Sequence, residues 1–182
     1  MAIKTASGSG LTNSLSSGLV LLNTTSFSGV ASQAVPTIFS PTYANYLVTI
    51  HTNSPTADNS YYLKLRVGAT DTSTGYFWSY YGVRATSTAN QGTSANDTAG
   101  FYIGDHDLGS QRSFYSASIN IFGPNLANAT SVHGQFSGLN TGGAQYLLSN
   151  GGWHDSLTQF DGFNIIPTAG NISGTVKTYG YN

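Results

Sequence analysis

The sequence predicts an all-β protein: a single antiparallel β-sandwich or jelly roll of about ten short strands, with an extended N-terminal arm. Three observations carry this prediction. The chain has 7 acidic residues, every one of them Asp, only 6 Lys plus Arg, and 7% charged residues in all, where soluble domains usually carry about 25%. Amphipathic helices need the Glu, Lys and Arg that are missing. In their place stand many Ser, Thr and Asn, with 22 Gly, 12 Tyr and 9 Phe, which suit strands and the turns between them. Apolar residues also alternate with polar ones in short runs separated by Gly, Pro and Asn, and no fixed period repeats, which disfavours a propeller or β-helix.

Residues 1 to 18 have the composition of a linker and read as an extended arm; residues 19 to 182 form the sandwich domain. Leu19-Val-Leu-Leu22 is a short apolar run, and Ser32 to Phe39 reads as a strand that Pro36 confines to an edge or bulge. Phe39-Ser-Pro-Thr-Tyr-Ala-Asn-Tyr46 is a turn leading into a strand in which Tyr46, Val48 and Ile50 share one face. The run Tyr61 to Val67 alternates most clearly: Tyr61, Leu63, Leu65 and Val67 are expected inside, with Tyr62, Lys64 and Arg66 outside. Tyr76 to Tyr81 is dense in aromatics, and Gly82 to Ala99 reads as a polar connection. Further strands are expected at Phe101 to Ile103, Phe114 to Phe122, Ser131 to Phe136 and Ala144 to Leu148. The chain closes on Phe160 to Pro167 and Ile172 to Tyr181, which the break Thr168-Ala-Gly-Asn171 marks as an antiparallel strand pair. In the last run Ile172, Val176 and Thr178 face one side, and Thr175, Lys177, Tyr179 and Tyr181 the other.

Composition also bounds function. A chain of 182 residues buries roughly 70% of its unfolded surface, enough for one core without staples. The absence of Cys removes disulfides and thiolate chemistry, and fits folding in a reducing cytoplasm. A net charge of −1 supplies no basic field for nucleic acid. No apolar run reaches the roughly 20 residues of a membrane span, and the first residues lack the apolar segment of a signal peptide. The Asn-x-Ser/Thr sites at Asn23, Asn96, Asn128 and Asn171 matter only in a eukaryotic secretory protein and are set aside.

Chemistry-bearing residues are few. Asp105-His-Asp107 between glycines offers oxygen and nitrogen ligands to a divalent cation, yet completes no loop signature, and Asp beside Gly is the usual material of a turn. His154-Asp155, His51 and His133 lack the Gly-x-Ser-x-Gly elbow of a hydrolase, and the chain has no Glu for zinc-protease helices and no phosphate-cradling loop. No catalytic residue, cofactor or metal is therefore expected. The aromatics can fill a core or join subunits: Tyr62, Tyr76, Trp78, Tyr80, Tyr179 and Tyr181 are the expected interface set, and Trp153, in the loop Gly151-Gly-Trp-His-Asp155, is a candidate glycan contact.

Three stretches together resemble the small β-sandwich structural proteins of tailed-phage virions, especially those of cyanophages and marine phages. They are Phe39 to Ile50, with Phe-Ser-x-x-Tyr-x-Asn-Tyr leading into a strand; Tyr62-Leu-Lys-Leu-Arg-Val-Gly68; and Ile172 to Tyr181, with a closing Ser-Gly-x-x-x-x-Tyr-Gly. The resemblance implies a jelly-roll domain, commonly trimeric, made in the host bacterial cytoplasm and carried on the virion, where its partners are the major capsid protein or other virion proteins. It implies no catalytic residue. The lack of a coiled-coil or β-helical shaft favours a compact capsid decoration or cement protein over a fibre. The arm, with Ile3, Lys4, Leu11 and Leu15, is then expected to attach to the capsid. The alternative is a tail-fibre or tail-tip module that binds a receptor or glycan, and a polysaccharide-cleaving activity is the third and weakest reading.

Overall fold

In a computed structural model of the chain, residues 18–53, 55–85, 87–97, 100–106, 114–139 and 144–181 are described. Every regular element among them is a β-strand. An eight-stranded antiparallel sheet runs in the order β1 (Leu19–Val30), β13 (Ile172–Tyr181), β3 (Asn45–Asn53), β9 (Phe114–Phe122), β10 (Thr130–Leu139), β11 (Gln145–His154), β6 (Tyr76–Arg84), β7 (Ser87–Asp97). A smaller sheet runs β2 (Gln33–Val35), β12 (Gly162–Pro167), β4 (Asn59–Val67), β5 (Thr70–Asp71), with β8 (Phe101–His106) also pairing β4. The chain alternates between them, so that β1, β3, β9 and β13 of one sheet are interleaved in sequence with β2, β4, β8 and β12 of the other. This is the antiparallel sandwich that the strand pattern predicted. The strands number thirteen among the described residues, more than the ten or so expected from apolar runs alone.

The alternating runs fill the core as the two-residue period requires. Tyr46, Val48 and Ile50 of β3, with Ile172 and Val176 of β13, project from the large sheet; Tyr61, Leu63 and Leu65 of β4, with Phe163 and Ile165 of β12, meet them from the small one. The polar tip of Tyr61 is satisfied locally. Tyr61 Oη lies 3.0 Å from His106 Nδ1 and 3.1 Å from Thr52 Oγ1. Burial pushes the Tyr61 hydroxyl up to about 12, opposed by the Thr52 hydrogen bond.

The turn before β3 shows why its sequence has the form Phe-Ser-x-x-Tyr-x-Asn-Tyr. The Tyr46 ring packs on Phe39 with centroids 4.7 Å apart. Its hydroxyl accepts from the Ser40 N–H at 2.7 Å and donates to the Ser40 carbonyl at 2.9 Å, closing the turn on itself. Tyr43 lies against Gly180, where an added Cβ would stand 2.5 Å from the Tyr43 ring. The opening and closing motifs therefore touch, and glycine is required at the contact.

Four expectations need correction. The runs Phe160 to Pro167 and Ile172 to Tyr181 do not pair: β12 lies between β2 and β4, and β13 lies between β1 and β3 in the opposite sheet. A short polar break fixes a reversal but not whether the chain returns within one sheet or crosses the sandwich. Here it crosses, held by Thr168 N–H to the Ser60 carbonyl at 2.9 Å and Asn171 N–H to Thr56 Oγ1 at 2.7 Å. Second, residues 87 to 97 of the polar connection form β7, an edge strand on β6. None of its described side chains is buried, so ladder hydrogen bonds hold it without an apolar pattern. Third, Val67 is exposed and Arg66 buried. The β4–β5 hairpin ends the alternation there, with Arg66 paired to Asp71 at 3.3 Å and donating to the Ala69 carbonyl at 2.7 Å. The fourth correction concerns Tyr76, treated with the site.

Candidate functional site

Strand β6 sets the aromatic geometry. Its inward positions are Tyr76, Trp78 and Tyr80, and its outward positions are Phe77, Ser79, Tyr81 and Val83. Tyr76 is thus no interface residue: it is fully buried, its hydroxyl accepting from the Leu65 N–H at 2.9 Å and its ring edge-on to Phe101 at 5.0 Å. Trp78 and Tyr80 also point inward, half-buried and stacked on Tyr102 of β8 at 5.3 Å and 4.9 Å. Tyr62, half-buried, meets the same Tyr102 ring at 5.9 Å and 71°. Trp78, Tyr80, Tyr62 and Tyr102 form one aromatic bridge between the sheets and so stabilise the sandwich. The density of aromatics was readable from the sequence; the phase of the strand was not, because both faces of β6 are apolar.

The outer face of the eight-stranded sheet is the surface that remains. Across β13, β3, β9, β10, β11 and β6 it presents Ser, Thr, Asn and Gln among apolar residues, and Lys177 is its only standing charge among the described residues. At one end Leu19, Leu21, Tyr179, Tyr181, Leu47 and Phe122 form a contiguous apolar patch: Leu19 pairs with Tyr181, Leu21 with Tyr179, and Tyr179 with Leu47. The Tyr181 hydroxyl donates to Asn120 Oδ1 and pins the ring across this patch. Tyr179 and Tyr181 therefore stand where the sequence placed them, on the outer side of the last strand. A second apolar patch, Tyr81, Val83 and Leu147, lies at the opposite lateral half on β6 and β11, where Leu147 pairs with Val83.

On the same two strands, at the other end of β11 from Leu147, Trp153 is exposed and stacks on Phe77 with ring centroids 4.5 Å apart and planes 14° apart. The pair follows from register, since Trp153 lies directly opposite Phe77 in the β11–β6 ladder. With Ser79, Ser94, Ala95, Asn96, Ser131, Gly151 and Gly152 it borders a shallow groove of about 580 Å³.

His154, next to Trp153, points the other way and is buried. Its Nδ1 accepts from the Ser156 N–H at 3.2 Å, so the proton sits on Nε2, which donates to the Thr74 carbonyl at 2.9 Å. Tyr76 and Phe160 pack edge-on against the ring at 4.6 Å and 5.1 Å. Burial holds His154 below its ordinary value of 6.5, opposed by the Thr74 hydrogen bond and the Asp155 carboxylate. The sign follows from linkage: the folded state binds this proton less readily than the unfolded chain, so stability is full above pH 6.5 and falls as the pH drops through the folded value. Thermal melts between pH 7.5 and pH 5 are expected to show falling stability, and His154→Gln is expected to flatten that part of the profile.

Asp105 is half-buried at the end of β8 and accepts from the Ser60 hydroxyl at 2.6 Å; its sequence companion Asp107 lies outside the described residues. No group of three or more potential metal ligands comes together among the described residues. The arm residues Ile3, Lys4, Leu11 and Leu15 also lie outside the described residues. No helix among the described residues is long and apolar enough to cross a membrane. Compared with protein families, curated proteins and solved structures, the chain shows no match.

Proposed function

We propose that the chain is a structural subunit of a tailed-phage virion, a capsid decoration or cement protein that binds the assembled shell and stabilises it. The observation that carries the reading is the outer face of the eight-stranded sheet, broad, nearly free of charge and bearing two apolar patches. Soluble domains keep such faces covered, because exposed contiguous apolar surface invites association. The patches are not alike, one built from Leu19, Leu21, Tyr179, Tyr181, Leu47 and Phe122 and the other from Tyr81, Val83 and Leu147. Two unlike patches suit a head-to-tail contact, the kind that closes a ring, in keeping with the homotrimer that the family resemblance implies. The reading assigns the protein no catalysis and no cofactor. A subunit that binds only the assembled shell raises its stability by mass action. Purified protein mixed with capsids that lack it is expected to co-sediment to a saturating stoichiometry and to delay heat-induced capsid rupture. Failure to co-sediment would contradict the reading.

A further inference from the structure

The groove beside Trp153 has a composition that neither patch shares. One face of the indole is covered by Phe77. On the other side the cross-strand neighbour is Ser131, whose side chain is too small to cover a ring, and Trp153 stays 47% exposed. The floor is glycine. Gly151 lies on the outer face between His133 and Ser79 in the ladder, and a Cβ added there would meet only the Val132 carbonyl, at 3.7 Å. A side chain would therefore fit at this position without strain, and its absence leaves open a recess directly beneath the aromatic wall. The remaining border carries hydroxyls and an amide from Ser79, Ser94, Ser131 and Asn96 beside Ala95, and among the described residues no ionisable side chain lines the groove.

This chemistry selects a ligand class. A flat apolar wall, held in place by its stacking partner, loses little freedom on binding. Neutral donors and acceptors around it recognise hydroxyls, directly or through water. A pyranose ring offers both counterparts: an axial C–H face that lies against an aromatic ring and an equatorial edge of hydroxyls. A nucleotide offers the flat face, but among the described residues no Lys or Arg lines the groove to meet its phosphates. We propose that the Phe77–Trp153 groove binds a neutral pyranose residue of a glycan. The inference stands apart from the assembly reading, since it needs only the folded domain.

The test is a neutral-glycan array carrying glucose, galactose, mannose and N-acetylglucosamine oligomers, followed by fluorescence and calorimetric titration with the best-retained oligosaccharide. Retention is expected, with a change in Trp emission on binding. Trp153→Ala and Gly151→Leu are each expected to weaken binding at least tenfold. Gln135→Ala, on the same sheet face but outside the groove, is expected to bind as the parent does, and circular dichroism melts are expected to show all three variants folded. Three outcomes would overturn the proposal: no neutral glycan retained, retention indifferent to both groove variants, or groove variants that alter the sedimented mass and leave glycan retention unchanged, which would make a second copy of the chain the occupant.

Discussion

Gly104→Ala is expected to destabilise the fold by about 2–5 kcal/mol, the combined cost of overpacking and of a strained backbone. Gly104 of β8 has φ +133°, a conformation that L side chains rarely adopt, and an added Cβ would stand 2.6 Å from Tyr115 Cε2 and 2.7 Å from Phe136 Cδ2. Neither ring can retreat. Tyr115 is fully buried, with its hydroxyl donated to the Ile103 carbonyl, and Phe136 is wedged between Tyr102 and Tyr146 at 5.6 Å and 5.8 Å. In a domain of this size the loss corresponds to a fall in Tm of about 5–15 °C. Gly68→Ala is the informative control, because Gly68 also has a positive φ, +57°, but open space around it. It carries the backbone cost without the collision, and its Tm is expected to fall far less. A Gly104→Ala protein melting with the parent would mean that β8 does not sit under those rings as described.

Leu21→Lys is expected to leave the domain folded and to weaken self-association and capsid binding by roughly a hundredfold, the cost of placing a charge in an apolar contact. Leu21 is 54% exposed, and its side chain lies beside Tyr179 in the β1–β13 ladder. Exposed substitutions away from special features usually change stability by less than about 0.5 kcal/mol, so the Tm should hold while sedimentation and capsid occupancy change. Ser118→Lys places the same charge at an exposed position of β9 outside both patches and is expected to retain both activities. Loss of function in both variants would point to overall charge, and loss in neither would remove the patch from assembly.

What the sequence disclosed depended on how one-sided each strand is. Tyr46, Val48 and Ile50, or Tyr61, Leu63 and Leu65, were predictable as core because polar residues separate them and one face alone is buried. The last strand was equally clear, with Ile172 and Val176 inside and Tyr179 and Tyr181 outside. Pro36 confined its segment to an edge, and β2 does lie at the edge of its sheet. Strand β6 defeated the same logic, since Phe77, Tyr81 and Val83 on one face are as apolar as Tyr76, Trp78 and Tyr80 on the other. Strand β7 carried no apolar alternation, and none of its described side chains is buried. The partner of β13 was hidden for another reason: pairing with β1 joins residues some 150 positions apart, and no local pattern encodes it. The groove was half visible. Trp153 stood out in its glycine-rich setting, but Phe77 became its partner only through the β11–β6 register.

The central claim is that this chain sits on a phage shell with the patches of its eight-stranded sheet covered, and an electron-microscopy map of the virion tests it most directly. The account predicts density for the jelly roll on the capsid surface, with Leu21 and Tyr179 against a neighbouring subunit. Density at the tail tip, or a shell-bound domain with that sheet face open to solvent, would contradict it.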